Sequence, residues 1–401
     1  MKEDTRLLLT KLVDINNKRK AVNPVFLTKE GTRLIKNLFG KLHSFYNKWE
    51  LNKKKIFQQI QSLSHLPKSD DYSYIPSPIR TEIESACRHT YSLSFTFQDR
   101  IFKVFLCLKA DDEKFRQSLI RRIYLWLSMA SEHVKPSCSK TVNIYFYLID
   151  KKKEVPSTVN EQIDLIHVNT AFTTGCQPHT NVHIFREEEW FRAFIHESFH
   201  NLGFDFLQLD AKLQENAVNR IRAIFPVKIR DIRFNETYCE MWAEVLNVLF
   251  FVYLSDPTQS IGQMMKLFKK MLYFEGMFST LQCVKILKHN NLLYGQLHKE
   301  EFASKYKEKT QGFSYYILKS IYMVHVNRFI HFCATQAAND SLQFSLNSKS
   351  IESYTQIIED NYRSEKYRDG IKIMEKELAK ATTTQGVFKN TLRMSLFEGT
   401  S

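Results

Sequence analysis

The chain has 401 residues, of which 43% are hydrophobic and 13% aromatic, and it carries a formal net charge of +14. A chain of this length and apolar content can bury a large core, and its few Gly and Pro residues exclude a fibrous or largely disordered protein. No apolar run is long enough to cross a bilayer and no signal-like segment begins the sequence, so we expect a cytoplasmic protein without a membrane span.

The positive charge is gathered in clusters, for example at residues 53–55 and 266–270. A basic surface suits nucleic acid, an anionic membrane or an acidic substrate as a partner. No nucleic-acid motif accompanies the charge, so solvated surfaces are the simpler interpretation. The seven cysteines are odd in number and lack CxxC spacing, which predicts reduced thiols: Cys87, Cys107, Cys138, Cys176, Cys239, Cys283 and Cys333.

In chain order the sequence predicts five segments. Residues 1–61 are predicted as a helical N-terminal extension, and residues 62–80, where Ser, Pro and Asp interrupt the helical pattern, as a linker. An α+β lobe over residues 81–205 is followed by an all-helical lobe over residues 206–345. Charged helices and a loose polar tail occupy residues 346–401. The predicted fold class is α+β and mostly helical.

The α+β lobe is predicted to hold a small twisted mixed sheet backed by helices. Residues 92–97 and 101–108 alternate around a turn at Asp99–Arg100, which indicates a β-hairpin. Asp111 and Asp112 then begin a helix that runs to about residue 131. Further strands are predicted at residues 142–149 and, as an edge strand, at residues 181–185.

A helix is predicted from residue 186 to residue 202. Glu187, Glu188 and Glu189 would form its first turn, where acidic residues suit the positive end of the helix dipole. Gly203 would end it. Its apolar residues recur at helical spacing and would bury it against the sheet: Trp190, Phe191, Phe194, Ile195, Phe199 and Leu202.

This helix carries the sequence His196-Glu197-Ser198-Phe199-His200, the HExxH pattern of zinc hydrolases. Residues i and i+4 share one face of a helix, so His196 and His200 can both bind one Zn²⁺. Zinc lowers the pKa of its bound water to roughly 7, and Glu197 is placed to take the proton as general base. The pattern therefore predicts a zinc hydrolase.

The later stretch Asn235-Glu236-Thr237-Tyr238-Cys239-Glu240 is close to an NExxxD pattern. With HExxH, it resembles the gluzincin metallopeptidases, the group that includes thermolysin. The resemblance implies a zincin-like lobe, Glu236 as the third zinc ligand and Glu240 as the acid that orients His196. Two departures are the Glu in place of the final Asp and a long connection to His200. Glu240 and Glu244 form an alternative pair of ligand and orienting acid.

Two other ligand schemes can be compared with the sequence. The metzincin pattern needs a histidine ten residues after the first one, and that position is Phe206. Asp205 lies one residue earlier and is the remaining alternative ligand. These comparisons leave Glu236, Glu240 and Asp205 as candidates for the third ligand.

Beyond the motif the sequence is almost entirely helical, with helices predicted at residues 209–225, 235–254, 260–288, 298–309 and 313–333 and two more within residues 351–380. In many gluzincins a Tyr or His from this region donates a hydrogen bond to the developing oxyanion. That resemblance makes Tyr315, Tyr316 and His325 candidates, although aromatic residues at helical spacing are commonly packing residues.

The segment from His167 to Gly175 resembles the stretch before the HExxH helix in uncharacterised metallopeptidase-like proteins of large cytoplasmic DNA viruses. This resemblance covers roughly residues 140–250 and would place the protein in host cytoplasm or in a virion. The segment either lines a groove for a peptide strand or merely connects two strands.

The sequence thus predicts a zinc-dependent peptidase acting on a peptide or protein substrate. The alternative is an inactive, zinc-stabilised scaffold or virion protein that binds nucleic acid through its basic surface.

Overall fold

The computed structural model describes residues 2–18, 25–158, 161–336, 342–382 and 386–398. It is 59% helical with a small six-stranded mixed sheet, which confirms the predicted α+β, mostly helical class. The strands within the described residues are β1 (Gln61–Ser62), β2 (His89–Phe97), β3 (Arg100–Leu108), β4 (Thr141–Leu148), β5 (Ala171–Thr173) and β6 (His179–Ile184).

The α-helices within the described residues are α1 (Glu3–Lys18), α2 (Lys29–Gln58), α3 (Ser77–Ala86), α4 (Glu113–Ser131), α5 (Leu165–Val168), α6 (Trp190–Asn201), α7 (Ala211–Ile224), α8 (Phe234–Ser255), α9 (Ile261–His289), α10 (Lys319–Val324), α11 (Val326–Gln336), α12 (Ser348–Asn361), α13 (Glu365–Lys380) and α14 (Gly386–Asn390). Short 3₁₀ turns lie at Asp70–Tyr74, Tyr294–Gln296 and Glu300–Phe302, and a π-helical turn lies at Phe313–Leu318. The prediction of a helix at residues 298–309 is wrong, since this stretch forms the 3₁₀ turn Glu300–Phe302 instead. Within the residues that the structure describes, no helix is both long and apolar enough to cross a membrane.

The chain forms two compact units. The sheet unit comprises Ile35–Lys152 and Asn169–Asp205, and the helical unit comprises the described residues within 1–34, 153–168 and 206–399. The predicted extension, residues 1–61, is thus divided between the units, and residues 62–80 belong to the sheet unit.

Residues 62–80 pack closely within the sheet unit. Tyr72 is buried there, and the Tyr147 hydroxyl of β4 donates to the Pro67 carbonyl over 2.7 Å. These contacts attach the segment to one of the central strands of the sheet.

The strand order of the sheet is β1-β2-β3-β4-β6-β5. Strands β3, β4 and β6 are mutually parallel neighbours, and the other pairs are antiparallel. A parallel pair needs a crossover connection, which α4 supplies between β3 and β4. Gln98 and Asp99, with φ of 45° and 63°, form the hairpin turn, because a two-residue primed turn needs positive φ. The turn therefore lies one residue earlier than predicted, and Arg100 is part of β3.

Helix α6 is fixed by contacts with α4 and with the sheet. Trp126 of α4 donates from Nε1 to the Ser198 hydroxyl over 3.0 Å, and its ring stacks on Phe199. Phe146 of β4 meets Phe194 edge to face, with ring centroids 5.2 Å apart. Residues of the predicted apolar face therefore pack against α4 and the sheet, and these contacts position the HExxH residues.

The helical unit encloses a cluster of buried aromatic rings. Tyr238 of α8, Phe329 of α11 and Tyr354 of α12 lie with ring centroids 5.9 to 6.5 Å apart. Burial of such large side chains is the main source of stability for helices of this kind.

Residues 391–398 form a buried C-terminal segment within the helical unit. Lys285 donates to the Thr391 carbonyl over 2.8 Å, and Lys319 donates to the Met394 carbonyl over 2.6 Å. The Glu275 carboxylate accepts the backbone N–H of Leu396 over 3.0 Å. The prediction of a loose tail is wrong for this segment, because polar side chains of the helices satisfy its backbone polar groups.

Cys138 and Cys176 of the sheet unit form a disulfide, with Cα atoms 4.8 Å apart. The prediction of seven reduced thiols is therefore wrong for this pair, whose members are 38 residues apart in sequence. The remaining cysteines are buried and form no disulfide: Cys87, Cys107, Cys239, Cys283 and Cys333.

Candidate metal centre

Helix α6 begins later than predicted and ends at Asn201, one residue before the predicted end. Trp190 is its first residue, and Glu189 precedes it with a left-handed φ of 59°, so Glu187 to Glu189 do not form its first turn. At the other end Gly203 has a φ of +74°. Its N–H donates to the His200 carbonyl over 3.2 Å, and the N–H of Phe204 donates to the Phe199 carbonyl over 2.8 Å. This is a Schellman ending, and it places His200 in the last turn.

His196 and His200 lie on the same face of α6, and both are buried. Their Nε2 atoms are 3.2 Å apart, and the two rings are inclined at 74°. Two nitrogen ligands of one tetrahedral zinc ion, with bonds of about 2.0 to 2.1 Å, would be separated by roughly 3.3 Å. The two imidazoles therefore have the spacing that a shared zinc ion requires.

Asp205 fixes the orientation of the His200 ring. The Nδ1–H of His200 donates to Asp205 Oδ2 over 2.6 Å, and both side chains are buried. A carboxylate accepts hydrogen bonds only, so the proton lies on Nδ1 and the lone pair on Nε2, the atom that faces His196. The arrangement matches the carboxylate–histidine pairs that orient metal ligands in other proteins.

Glu197 follows His196 directly on α6 and is 9% exposed. Consecutive helical residues are rotated by about 100°, so its carboxylate leaves the helix on the flank of the histidine face. This position is compatible with the predicted role of general base.

Three acidic residues follow one another at single helical turns on α8: Glu236, Glu240 and Glu244, all buried. Lys319 of α10 lies 2.8 Å from a Glu244 oxygen and 3.8 Å from a Glu240 oxygen. A buried ammonium is costly unless carboxylates compensate its charge. The second and third acids of the series therefore share a structural ion pair.

Among the described residues, His196, His200 and Glu236 form a buried group of side chains that could hold a metal ion. A second group of this kind is His200, Asp205 and Cys239. The hydrogen bond from His200 Nδ1 to Asp205 favours the first group, because it leaves Nε2 as the ligand atom of His200. Two imidazoles and one carboxylate are a donor set typical of catalytic zinc.

The candidate oxyanion donors Tyr315 and Tyr316 lie on the π-helical turn and are buried. The Tyr316 hydroxyl donates to the Leu392 carbonyl over 2.7 Å. A phenol has one proton to donate, so Tyr316 would have to leave Leu392 in order to serve an oxyanion. The assignment of the oxyanion donor stays a prediction.

His325, the third candidate donor, lies between α10 and α11. Its Nε2 is 2.9 Å from the Ser364 hydroxyl. Burial, together with the nearby charges of Lys366 and Arg328, lowers the pKa of His325 to about 4. The imidazole is therefore neutral at neutral pH.

Strand β5 is an edge strand of the sheet and lies next to β6. Strand β6 pairs with β4 on one side and with β5 on the other, so the prediction of an edge strand at residues 181–185 is wrong. Residues 167–175, predicted as a groove or a connection, contain the true edge strand.

The direction of the β5 backbone groups follows from its pairing. The Phe185 N–H donates to the Thr170 carbonyl over 2.8 Å, and bonded pairs alternate along an antiparallel ladder. The N–H and C=O groups of Ala171 and Thr173 therefore point away from β6, toward the outer side of the edge strand. An extended peptide pairs with groups of this kind.

Sequence reasoning missed two contacts of this region. The sequence leaves Asp205 as a candidate ligand, whereas in the structure it accepts the His200 N–H. Its position just after the predicted helix end was the only signal. Lys319 was not identified, because nothing in its local sequence indicates a buried ion pair with Glu244.

No protein-family model, no curated protein and no solved structure matches this chain. The resemblances to gluzincins and to viral metallopeptidase-like proteins therefore stay predictions. Function has to be inferred from the side chains of α6 and α8.

Proposed function

We propose that the protein is a zinc-dependent peptidase whose metal is held by His196, His200 and Glu236. The observation that carries the proposal is the 3.2 Å separation of the two Nε2 atoms. It is supported by Asp205, which holds the His200 ring so that Nε2 offers its lone pair.

Glu236 is our choice of third ligand because its carboxylate, together with His196 and His200, forms the buried group that could hold a metal ion. Glu240 lies 3.8 Å from the ammonium of Lys319, which lies closer to Glu244 at 2.8 Å. Glu240 would instead orient His196, as the gluzincin resemblance implies.

A Zn²⁺ ion held there would polarise the scissile carbonyl and acidify the attacking water. Glu197 would take the proton of that water and pass it to the leaving amine. The outward N–H and C=O groups of Ala171 and Thr173 would pair with the substrate backbone and hold it extended. Together these residues would perform peptide-bond hydrolysis.

The test combines metal analysis with cleavage of a peptide library by wild type and Glu197→Gln. We expect about one zinc per chain in both proteins and hydrolysis by the wild type alone, because an amide cannot accept the proton of water. Zinc without cleavage of any peptide would overturn the peptidase and favour the zinc-stabilised scaffold. Cleavage by Glu197→Gln at the wild-type rate would remove Glu197 as the base.

A further inference from the structure

The Cys138–Cys176 disulfide lies against the end of helix α6. Gly203 ends this helix in a left-handed conformation, and a Cβ atom added there would be 2.8 Å from Cys138 Sγ and 3.3 Å from Cys176 Cβ. The disulfide therefore touches the backbone three residues after His200. Within the sheet unit it connects the residues before β4 to the connection between β5 and β6.

Hydrogen bonds continue this connection from the disulfide to the edge strand. The Ser139 N–H donates to the Gln177 carbonyl over 2.6 Å, and the Ser139 hydroxyl donates to the Asn201 carbonyl over 2.8 Å. Asn201 Nδ2 in turn donates to Thr173 Oγ1 over 3.2 Å. We call Cys138, Ser139, Thr173, Cys176 and Asn201 the buckle.

The buckle determines where β5 lies relative to the histidines. Asn201 follows His200 on α6, and Thr173 carries outward backbone groups of the edge strand. A hydrogen bond between them sets the register of the edge strand against the last turn of the helix. The disulfide connects the loop that contains Ser139 to the loop that contains Gln177, and these two residues share a backbone hydrogen bond.

We propose that Cys138 and Cys176 are a thiol–disulfide switch that controls the alignment of β5 with the HExxH helix. The disulfide form keeps the buckle closed, and the dithiol form lets β5 move away from the end of α6. What the switch regulates rests on the proposed peptidase function. Its conformational effect can be measured without any hydrolysis.

The two sulfur atoms differ in accessibility, which sets the order of the exchange. Cys138 is fully buried, whereas Cys176 is half-buried. The thiolate of a small thiol attacks Cys176 Sγ, the bond to Cys138 breaks, and Cys138 leaves with the electron pair and takes a proton. The thiolate of a second small thiol then attacks the sulfur of the first, the bond to Cys176 Sγ breaks, and Cys176 leaves with the electron pair and takes a proton. Two small thiols are oxidised to one small disulfide, and the protein disulfide is reduced to two thiols.

The first measurement is a thiol count on the full chain equilibrated with oxidised glutathione. After quenching and denaturation we expect five alkylated cysteines, and seven after reduction. In the folded, reduced protein Cys176 should be alkylated first, because Cys138 and the five cysteines outside the disulfide are buried. Seven reactive thiols after oxidation, or a bond that opens only in denaturant, would overturn the switch.

The second measurement is hydrogen exchange in the folded protein. Opening the bond with reduced glutathione should raise exchange about tenfold or more at residues 171–176 and 201–204, because the closed buckle restricts their local opening. Unchanged exchange would overturn the proposal. The Cys138→Ser/Cys176→Ser variant is the matched control and should exchange rapidly with or without glutathione. The wild-type measurement remains valid if this variant misfolds.

Peptide cleavage then separates the two proposals. We expect reduction to raise KM about tenfold with a smaller change in kcat, since β5 aligns the substrate and does not touch the reacting atoms. Cleavage that is independent of the redox state would overturn the regulatory inference. If reduction changes hydrogen exchange as expected but neither redox state cleaves any peptide, the switch is supported and the peptidase proposal is overturned.

Discussion

His200 and Asp205 share a buried hydrogen bond of 2.6 Å, from Nδ1 to a carboxylate oxygen. The bond decides which ring nitrogen of His200 is protonated, and so directs Nε2 to the nitrogen of His196 at 3.2 Å. The proposed metal centre therefore depends on a residue that lies beyond the HExxH motif and its helix.

The first prediction concerns that residue. Asp205→Asn should weaken zinc binding roughly 10- to 100-fold, because loss of an orienting carboxylate typically costs this much affinity. Competition with a chromophoric chelator measures the change. Asp210→Asn is the control, since Asp210 caps α7 through the N–H groups of Lys212 and Leu213. It should alter stability with zinc affinity unchanged, and equal zinc affinity in both variants would contradict the role of Asp205.

The second prediction concerns the two histidines as ligands. The wild type should carry about one zinc per chain, and the His196→Ala/His200→Ala variant should carry almost none, because it has lost two of its three protein ligands. Metal analysis of the purified proteins measures this. His331→Ala, which changes a histidine in contact with Thr28, should keep its zinc. Near-full occupancy in the double variant would exclude the site.

The third prediction separates the three acids of α8. Glu236→Ala should reduce zinc affinity most, because it deletes a direct bond to the metal, and Glu240→Ala should reduce it by roughly 10- to 100-fold. Glu244→Gln should change zinc affinity least and stability most, since it removes the carboxylate nearest to the buried Lys319.

Chelator competition and thermal unfolding, measured on all three variants, check this order. A larger loss of zinc affinity in Glu240→Ala than in Glu236→Ala would assign the third ligand to Glu240. The enzyme class would be unaffected by that result.

The parts of the structure that could be predicted are those that local sequence determines. Helix α4 begins at Glu113, directly after the two aspartates that predict its start, and the Asp112 side chain accepts the Phe115 N–H over 3.0 Å. The end of α6 follows from Gly203, because a left-handed residue is needed there. The i, i+4 spacing of His196 and His200 predicts their shared face by geometry alone.

The parts that could not be predicted depend on partners distant in sequence. Arg393, Ser395 and Glu398 give the C-terminal segment a polar character, yet all three are buried. Glu275 accepts the Ser395 hydroxyl over 2.6 Å from 120 residues away, and no periodicity reveals such a contact. The order of β5 and β6 was missed for a related reason, since three residues are too few to show alternation.

The last prediction concerns the pH dependence of stability that Glu275 confers. Complete burial and the nearby negative charge of Glu244 raise the pKa of Glu275 to about 8, against the smaller opposing effects of its hydrogen bonds with Ser395 and Leu396 and the charge of Lys319. In the unfolded chain the group titrates near 4.5. Between these values the folded state binds the extra proton, so Glu275 stabilises the fold fully below about pH 4.5 and loses this contribution as pH rises through about 8.

The free energies of unfolding of wild type and Glu275→Gln, measured by thermal unfolding, should therefore differ by an amount that changes with pH. Each pKa unit corresponds to about 1.4 kcal/mol, so between pH 5 and pH 9 the unfolding free energy of the wild type should fall by on the order of a few kcal/mol relative to that of the variant. Taking the difference between the two proteins cancels the titration of all other groups. Glu300→Gln, at an exposed position, should follow the wild type at every pH. Parallel pH profiles for wild type and Glu275→Gln would mean that Glu275 is ionised in the folded protein and that the buried C-terminal segment is held by a charged carboxylate.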